Sequence, residues 1–138
     1  MTNAQKLIND IDLHLHHFEV YGKGFVKKAK ISPDAWVQMA LQVAYMKESG
    51  TFALTYESSM TRLFKHGRTE TIRPVTIESR KFVEAFFNPE VTKSEKIKLL
   101  RKAGDFHQTL SRDAMTGKGK KSNQKKKNQK KKKVLSLK

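Results

Sequence analysis

Cysteine is absent from the 138 residues, which excludes a disulfide framework and a zinc–thiolate centre. Long apolar runs are also absent. None approaches the about 20 residues of a membrane-spanning helix. The opening MTNAQKLINDID is polar, with scattered apolar residues and two acids. It lacks the apolar stretch of a secretory signal and the arginines of a transit peptide, so the expectation is a chain without an address for secretion or an organelle. No segment repeats.

Acid is missing from the final stretch. Lys118–Lys138 holds eleven lysines and no Asp or Glu, so eleven of the sixteen net positive charges lie there. Its only apolar side chains are Val134, Leu135 and Leu137. Such a segment buries too little surface to offset its ordering entropy, and its charges repel one another. The expected division is a mildly basic body, residues 1–119, and a disordered Lys-rich tail, residues 120–138. The body is near the lower size limit for a self-sufficient core.

What is present is a helix and strand pattern of the α/β class. A helix is expected up to about Asn9. From Ile11 to Tyr21 the alternation of Ile11, Leu13 and Leu15 with Asp12, His14 and His16 reads as a strand, which Gly22 and Gly24 interrupt. Ser32, Pro33 and Asp34 mark a helix start as N-cap candidate, first-turn proline and dipole-complementing acid. The following residues to Met46 are apolar on most faces, including Trp36, so this helix should be buried, with Gly50 as its terminator. Thr51–Ser59 is rich in Thr and aromatics and reads as a strand. TETIRPVT is extended, since Pro74 disfavours helix at Arg73. A further helix runs from Thr76 to before Pro89. Thr92 and Glu95 form a capping box for the last one, whose stripe is Ile97, Leu100, Ala103, Leu110 and Ala114, with Gly117 at its end.

Four places could carry chemistry. In Tyr21–Asp34, Lys23, Lys27, Lys28 and Lys30 precede a helix N-terminus, and two glycines allow close backbone approach. This is either a phosphate site or a solvated basic loop. It is not a Walker A loop, because the spacing of that motif is absent. In Thr55–Arg73, hydroxyls with Arg68 and Arg73 suit a carboxylate or zwitterion, or merely form a polar strand edge. His14, His16 and His17 alternate as metal ligands on a strand can, but no acid or Cys completes a tetrahedral set, and exposed histidines are the simpler reading. His66 and His107 stand isolated and read as loop or helix-packing residues. The tail suits nucleic acid or acidic lipid through counterion release. It has no aromatic residue for base stacking.

The run YGKGFVKKAKISPDAWVQMALQVAYMKESGTFALTYESSMTRLFKHGRTETIRP, followed by KAGDFHQTLSRDAMTGKG at Lys102–Gly119, resembles the choline/carnitine acyltransferase family over residues 10–119. Within it, FKHGRTETIRP (Phe64–Pro74) looks most like the type 2 palmitoyltransferase of the mitochondrial inner membrane. The resemblance implies part of a chloramphenicol-acetyltransferase-like, CoA-dependent acyltransferase domain. It also implies reversible transfer of a long-chain acyl group between coenzyme A and carnitine. The segment Gly22, Lys23, Gly24, Phe25, Val26, Lys27, Lys28, Ala29, Lys30, Ile31, Ser32, Pro33 and Asp34 then matches the coenzyme A site. Lys23 and Lys27 match the lysines on the 3′-phosphate, and Asp34 matches an acid near the adenine. Tyr56, Ser58 and Thr69 match carnitine-binding positions.

The same resemblance implies acyl-CoA and carnitine as substrates, no bound cofactor and no metal. It further implies a location on the matrix side of the mitochondrial inner membrane, with peripheral membrane association in full-length members. The family's catalytic His lies upstream of the Tyr56 motif and matches none of the five histidines here. The Ser-Thr-Ser segment and a carboxylate-binding Arg are missing too. The expectation is therefore a fragment of the C-terminal half that holds ligand contacts but no general base. The alternative function is a basic binding module that uses the tail on nucleic acid or acidic lipid.

Overall fold

The computed structural model describes residues 2–118. The Lys-rich tail expected over 120–138 lies outside the described residues. Five helices and one two-stranded sheet follow in the order α1 (Asn3–Asn9), α2 (Lys23–Lys28), α3 (Pro33–Ser49), β1 (Glu57–Met60), β2 (Thr69–Ile72), α4 (Ile77–Phe87) and α5 (Lys93–Met115). Helix and a small sheet are thus mixed, as expected.

The helix boundaries follow local chemistry. Pro33 opens α3, and Gly50, in the left-handed region, closes it. Ser32 holds the N-cap position but makes no side-chain cap bond. At α4, Thr76 Oγ1 accepts from Ser79 N at 3.1 Å, and Thr76 N donates to Ser79 Oγ at 2.7 Å. This reciprocal cap uses Ser where Glu or Gln is usual, and such a cap contributes about 1 kcal/mol. At α5, Thr92 Oγ1 accepts from Glu95 N at 3.2 Å. The Glu95 carboxylate turns instead to Lys98, at 3.4 Å.

Met39, Phe82, Val83 and Ala103 form the centre of the core, with Val43, Met46, Phe52, Leu99 and Leu100 packed around it. It therefore sits where α3, α4 and α5 meet. The sheet is antiparallel, with Glu57 opposite Ile72, Ser58 opposite Thr71, Ser59 opposite Glu70 and Met60 opposite Thr69. Both strands pack on α5.

Three expectations need correction. Residues 11–21 form no strand and are exposed. Alternation specifies a strand only where a neighbour pairs with it and covers one face. No such neighbour exists among the described residues, and Leu13 stays 77% exposed. The strand expected over Thr51–Ser59 begins only at Glu57, because only from there does β2 pair with it. Finally, α3 is not buried all round. Ala35, Met39 and Gln42 are buried, Trp36 is half-buried, and Val37, Leu41 and Tyr45 are exposed. Beside Trp36, a largely apolar groove of about 520 Å³ runs between α3, α4 and α5, with Lys93 and Lys96 among its lining residues.

The β1–β2 connection turns tightly. Phe64 N donates to Thr61 O at 3.1 Å, and Gly67 N donates to Phe64 O at 2.9 Å. A Cβ at Gly67 would overlap the Thr61 backbone carbonyl. Backbone cannot swing aside as a side-chain tip can, so Gly67→Ala is expected to destabilise the chain by about 1–3 kcal/mol, the range for overfilling packed space. Urea unfolding checks this. The midpoint should fall while the slope stays unchanged.

Candidate functional site

The lysine segment is more ordered than a glycine-broken loop. Gly22 is the N-cap of α2, Gly24 lies inside that helix, and neither has a left-handed backbone. A Cβ at either would meet nothing within 4 Å, so the space beside both is open. Lys23 and Lys27, four apart on a helix, share one face. The helix ends in a Schellman motif. Lys30 N donates to Lys27 O at 3.0 Å, and Ile31 N donates to Val26 O at 3.4 Å. Val26 and Ile31 provide the accompanying hydrophobic pair and are both buried. They anchor the segment and are closed to a ligand, whereas all four lysines face solvent. Lys30 takes the left-handed position at φ 59°, where Gly is the residue without strain. Tyr21 fastens the front of the segment to α3. Its hydroxyl accepts from Trp36 Nε1 at 3.2 Å, and its ring meets Trp36 edge-on at 6.1 Å.

The hairpin sorts the second set of residues by face. Side chains alternate along a strand, and directly opposed residues share a face. Glu57, Ser59, Glu70 and Ile72 turn toward α5, all buried or partly buried. Tyr56, Ser58 and Thr69 are exposed and fall on the opposite face. Thr71, directly across from Ser58, joins them and extends the row of hydroxyls. Arg68 and Thr69 line a shallow cavity of about 480 Å³ against the end of α5, together with His66. Arg73 does not line it.

A third group links the two sets. His107, on α5, is 1% exposed. Its Nε2 lies 3.1 Å from Asp34 Oδ2 in the first turn of α3 and 3.4 Å from Glu57 Oε2 on β1. Facing two carboxylates, Nε2 carries its hydrogen and donates. Nδ1 is buried without a partner. The three side chains each bring one potential ligand atom within 4.8 Å of the others. Of the two Nε2 separations, the one to Asp34 is a hydrogen bond, whereas the one to Glu57 is an ion-pair distance that leaves Glu57 Oε2 buried without a hydrogen-bond partner. His107 is thus a helix-packing residue, as expected, but not an isolated one. Glu57 was not singled out by sequence at all, although it sits between Tyr56 and Ser58.

His14, His16 and His17 are brought to no site. They lie on the exposed stretch before α2, and His17 Nδ1 approaches only Glu19, at 3.3 Å.

Burial raises the pKa of Glu57 above the usual value of 4.5, and the neighbouring Asp34 charge adds to the rise, while His107 opposes it. The native state therefore binds the proton more tightly than the unfolded chain does. The wild type should gain stability as pH falls through the raised pKa, and the gain is complete below about 4.5. Glu57→Gln has no proton to take up there. Thermal melts across pH 4–7 should show the wild type gaining on Glu57→Gln toward acid, and parallel curves would contradict the cause given.

Comparison with known proteins identifies the family. Residues 1–122 match the family model described as Choline/Carnitine o-acyltransferase. The liver isoform of carnitine O-palmitoyltransferase 1 from Homo sapiens is 50% identical over 119 residues, which are 86% of this chain and 15% of that protein. Carnitine O-acetyltransferase from Columba livia is 42% identical over 115 residues, 83% of this chain and 18% of the relative. Peroxisomal carnitine O-octanoyltransferase from Bos taurus is 38% identical over 114 residues, 83% of this chain and 19% of the relative. The chain thus spans less than a fifth of the length of these relatives. The palmitoyltransferase among them is type 1, so they lend no support to the type 2 resemblance of Phe64–Pro74. At the level of family the matches are unambiguous: the chain belongs to the choline/carnitine O-acyltransferase family.

Proposed function

We propose that this chain holds acyl-CoA and carnitine contacts for reversible transfer of a long-chain acyl group between the two, within part of a chloramphenicol-acetyltransferase-like domain. The observation that carries the reading is the hairpin register. It sets Ser58 and Thr69 on one exposed face, beside the exposed Tyr56 that immediately precedes β1, with Glu57 of the same strand reaching, through His107, the helix that follows the lysine segment. Coenzyme A is the partner of that segment, with its 3′-phosphate on Lys23 and Lys27. Open space beside Gly22 and Gly24 and the uncapped first turn of α3 suit an anion. Carnitine lies on the hydroxyl face. A palmitoyltransferase among the relatives supports a long acyl chain. The matrix side of the mitochondrial inner membrane remains the proposed location. One relative is named peroxisomal. Among the described residues, no helix is long and apolar enough to cross a membrane.

Calorimetry tests the coenzyme A contact. Replacing Lys23 and Lys27 with Ala should cost on the order of 1–3 kcal/mol of binding, as for charge-assisted hydrogen bonds. Dephospho-coenzyme A should bind the unaltered chain as weakly as coenzyme A binds the variant. Equal affinity of the unaltered chain for the two ligands would remove the 3′-phosphate assignment.

Chemistry is a separate matter. Transfer needs a base within hydrogen-bond reach of the nucleophile's proton. His107 is enclosed, and no other histidine is held near the hydroxyl face except His66, which shares the shallow cavity with Thr69. The chain alone is expected to give no thiol release from palmitoyl-CoA and carnitine. Turnover that disappears in a Tyr56→Phe, Thr69→Ala double variant would overturn this expectation and leave His66 as the base to test.

A further inference from the structure

We infer that His107 is a positioning residue that locks the first turn of α3 to strand β1, so that the lysine segment and the hydroxyl face respond as one unit. In ligand terms this rests on the proposed coenzyme A and carnitine contacts. In structural terms it does not.

The backbones of the helix and the strand do not pack on each other and meet only through the side chains of Asp34 and Glu57, whereas each element packs on α5. His107 stands at that junction, hydrogen-bonded to Asp34 at 3.1 Å and ion-paired with Glu57 at 3.4 Å. A second tie, Gln42 Nε2 donating to Thr55 Oγ1 at 3.3 Å, joins a later turn of α3 to the residue before Tyr56. That tie fixes spacing. The His107 contact does something further, because it draws Glu57 inward. Successive side chains on a strand face opposite ways, so an inward Glu57 turns Tyr56 and Ser58 outward. Holding Asp34 fixes the start of the helix onto which the Lys23–Lys30 segment leads.

The ring is too deeply enclosed to touch a substrate, so a direct catalytic role is excluded. Its Nδ1 is buried without a partner, an arrangement that normally costs stability. An apolar ring of similar size would avoid that cost but would leave the Asp34 and Glu57 carboxylates facing only each other, without the donor between them.

The test uses the full 138-residue chain with His107→Phe, which keeps a ring, and His107→Gln, which keeps an N–H donor. Amide hydrogen exchange is read at Asp34–Trp36, at Glu57–Met60 and, as a control, along α4. In His107→Phe, exchange should quicken on the order of tenfold in both segments and stay unchanged in α4. His107→Gln should restore most of the protection. With ligands, saturating carnitine should tighten coenzyme A binding by roughly fivefold or more in the unaltered chain, within the range usual for coupled sites. The effect should vanish in His107→Phe and return in His107→Gln.

Exchange that quickens in one segment only, or equally in α4, overturns the inference. So does coupling that survives His107→Phe. If the unaltered chain binds neither ligand, the ligand assignment fails, and the paired exchange still decides the role of His107. If His107→Phe does not fold, Asp34→Ala replaces it. Quickened exchange on β1, across the junction from the altered residue, supports the lock, and unchanged β1 exchange refutes it.

Discussion

Ala103, Gly104, His107 and Ala114 are the buried residues of α5, and the close approach they permit is what the other elements depend on. The same helix packs against α3, α4 and both strands. At Gly104, a Cβ would come within 3.5 Å of Ile31 Cγ2 and 3.8 Å of Ala35, so α3 and the end of the lysine segment lie directly on the α5 backbone. Three residues further along, at His107, α5 meets Glu57 of β1, and there the apolar surface gives way to an imidazole. A helix face of small residues therefore brings three elements close enough for one buried ring to touch two of them.

That junction is poorly suited to raising stability. Taking charges out of water costs about as much as their attraction returns, and the raised pKa of Glu57 is the local sign of that cost. Asp34 is 53% exposed at its side chain, so its pairing is screened by solvent. What the cluster supplies is orientation. The left-handed Lys30 fits the same pattern. A glycine there would relieve strain, yet a lysine is kept on the segment where anion contacts are proposed. Strain and unpaired polarity are concentrated between Lys30 and His107, while Met39, Phe82, Val83 and Ala103 supply an apolar core a few turns away.

Legibility in the sequence followed the range of the signal. Pro33, Gly50, Thr76, Thr92 and Gly117 act within one helical turn of themselves, and the helix ends they imply are found. Ile11–Tyr21 has the period of a strand, but strand formation is decided by a partner elsewhere in the chain, which the pattern does not encode. Thr51–Tyr56 is irregular for the same reason. The hydroxyl face was partly legible, since Tyr56 and Ser58 are two apart. Thr69 and Thr71 join them only through the register of the hairpin. The His107 cluster was beyond local reasoning, because 73 residues separate it from Asp34. The one available hint was periodicity. His107 falls four residues after Ala103 and seven before Ala114, on the stripe that was expected to be buried.

The separation of binding groups from reacting groups follows from the same geometry. Lysines and hydroxyls can recognise an anion or a zwitterion from an open surface, because recognition tolerates solvent around the contact. Proton transfer is less forgiving. The base must lie within about 3 Å of the proton it takes, with a pKa near the working pH. Of the histidines described, three lie on the exposed stretch before α2 and one is sealed under two carboxylates. The fifth, His66, is in the turn between β1 and β2, beside Thr69 but with no carboxylate paired to it to fix its tautomer among the described residues. An imidazole held by no second group is a weak general base even when near a substrate, because its orientation must be found anew at each turnover. The surface that α5 assembles therefore suits the proposed role of holding two ligands in a fixed relation, and among the described residues it orients no histidine for the deprotonation step.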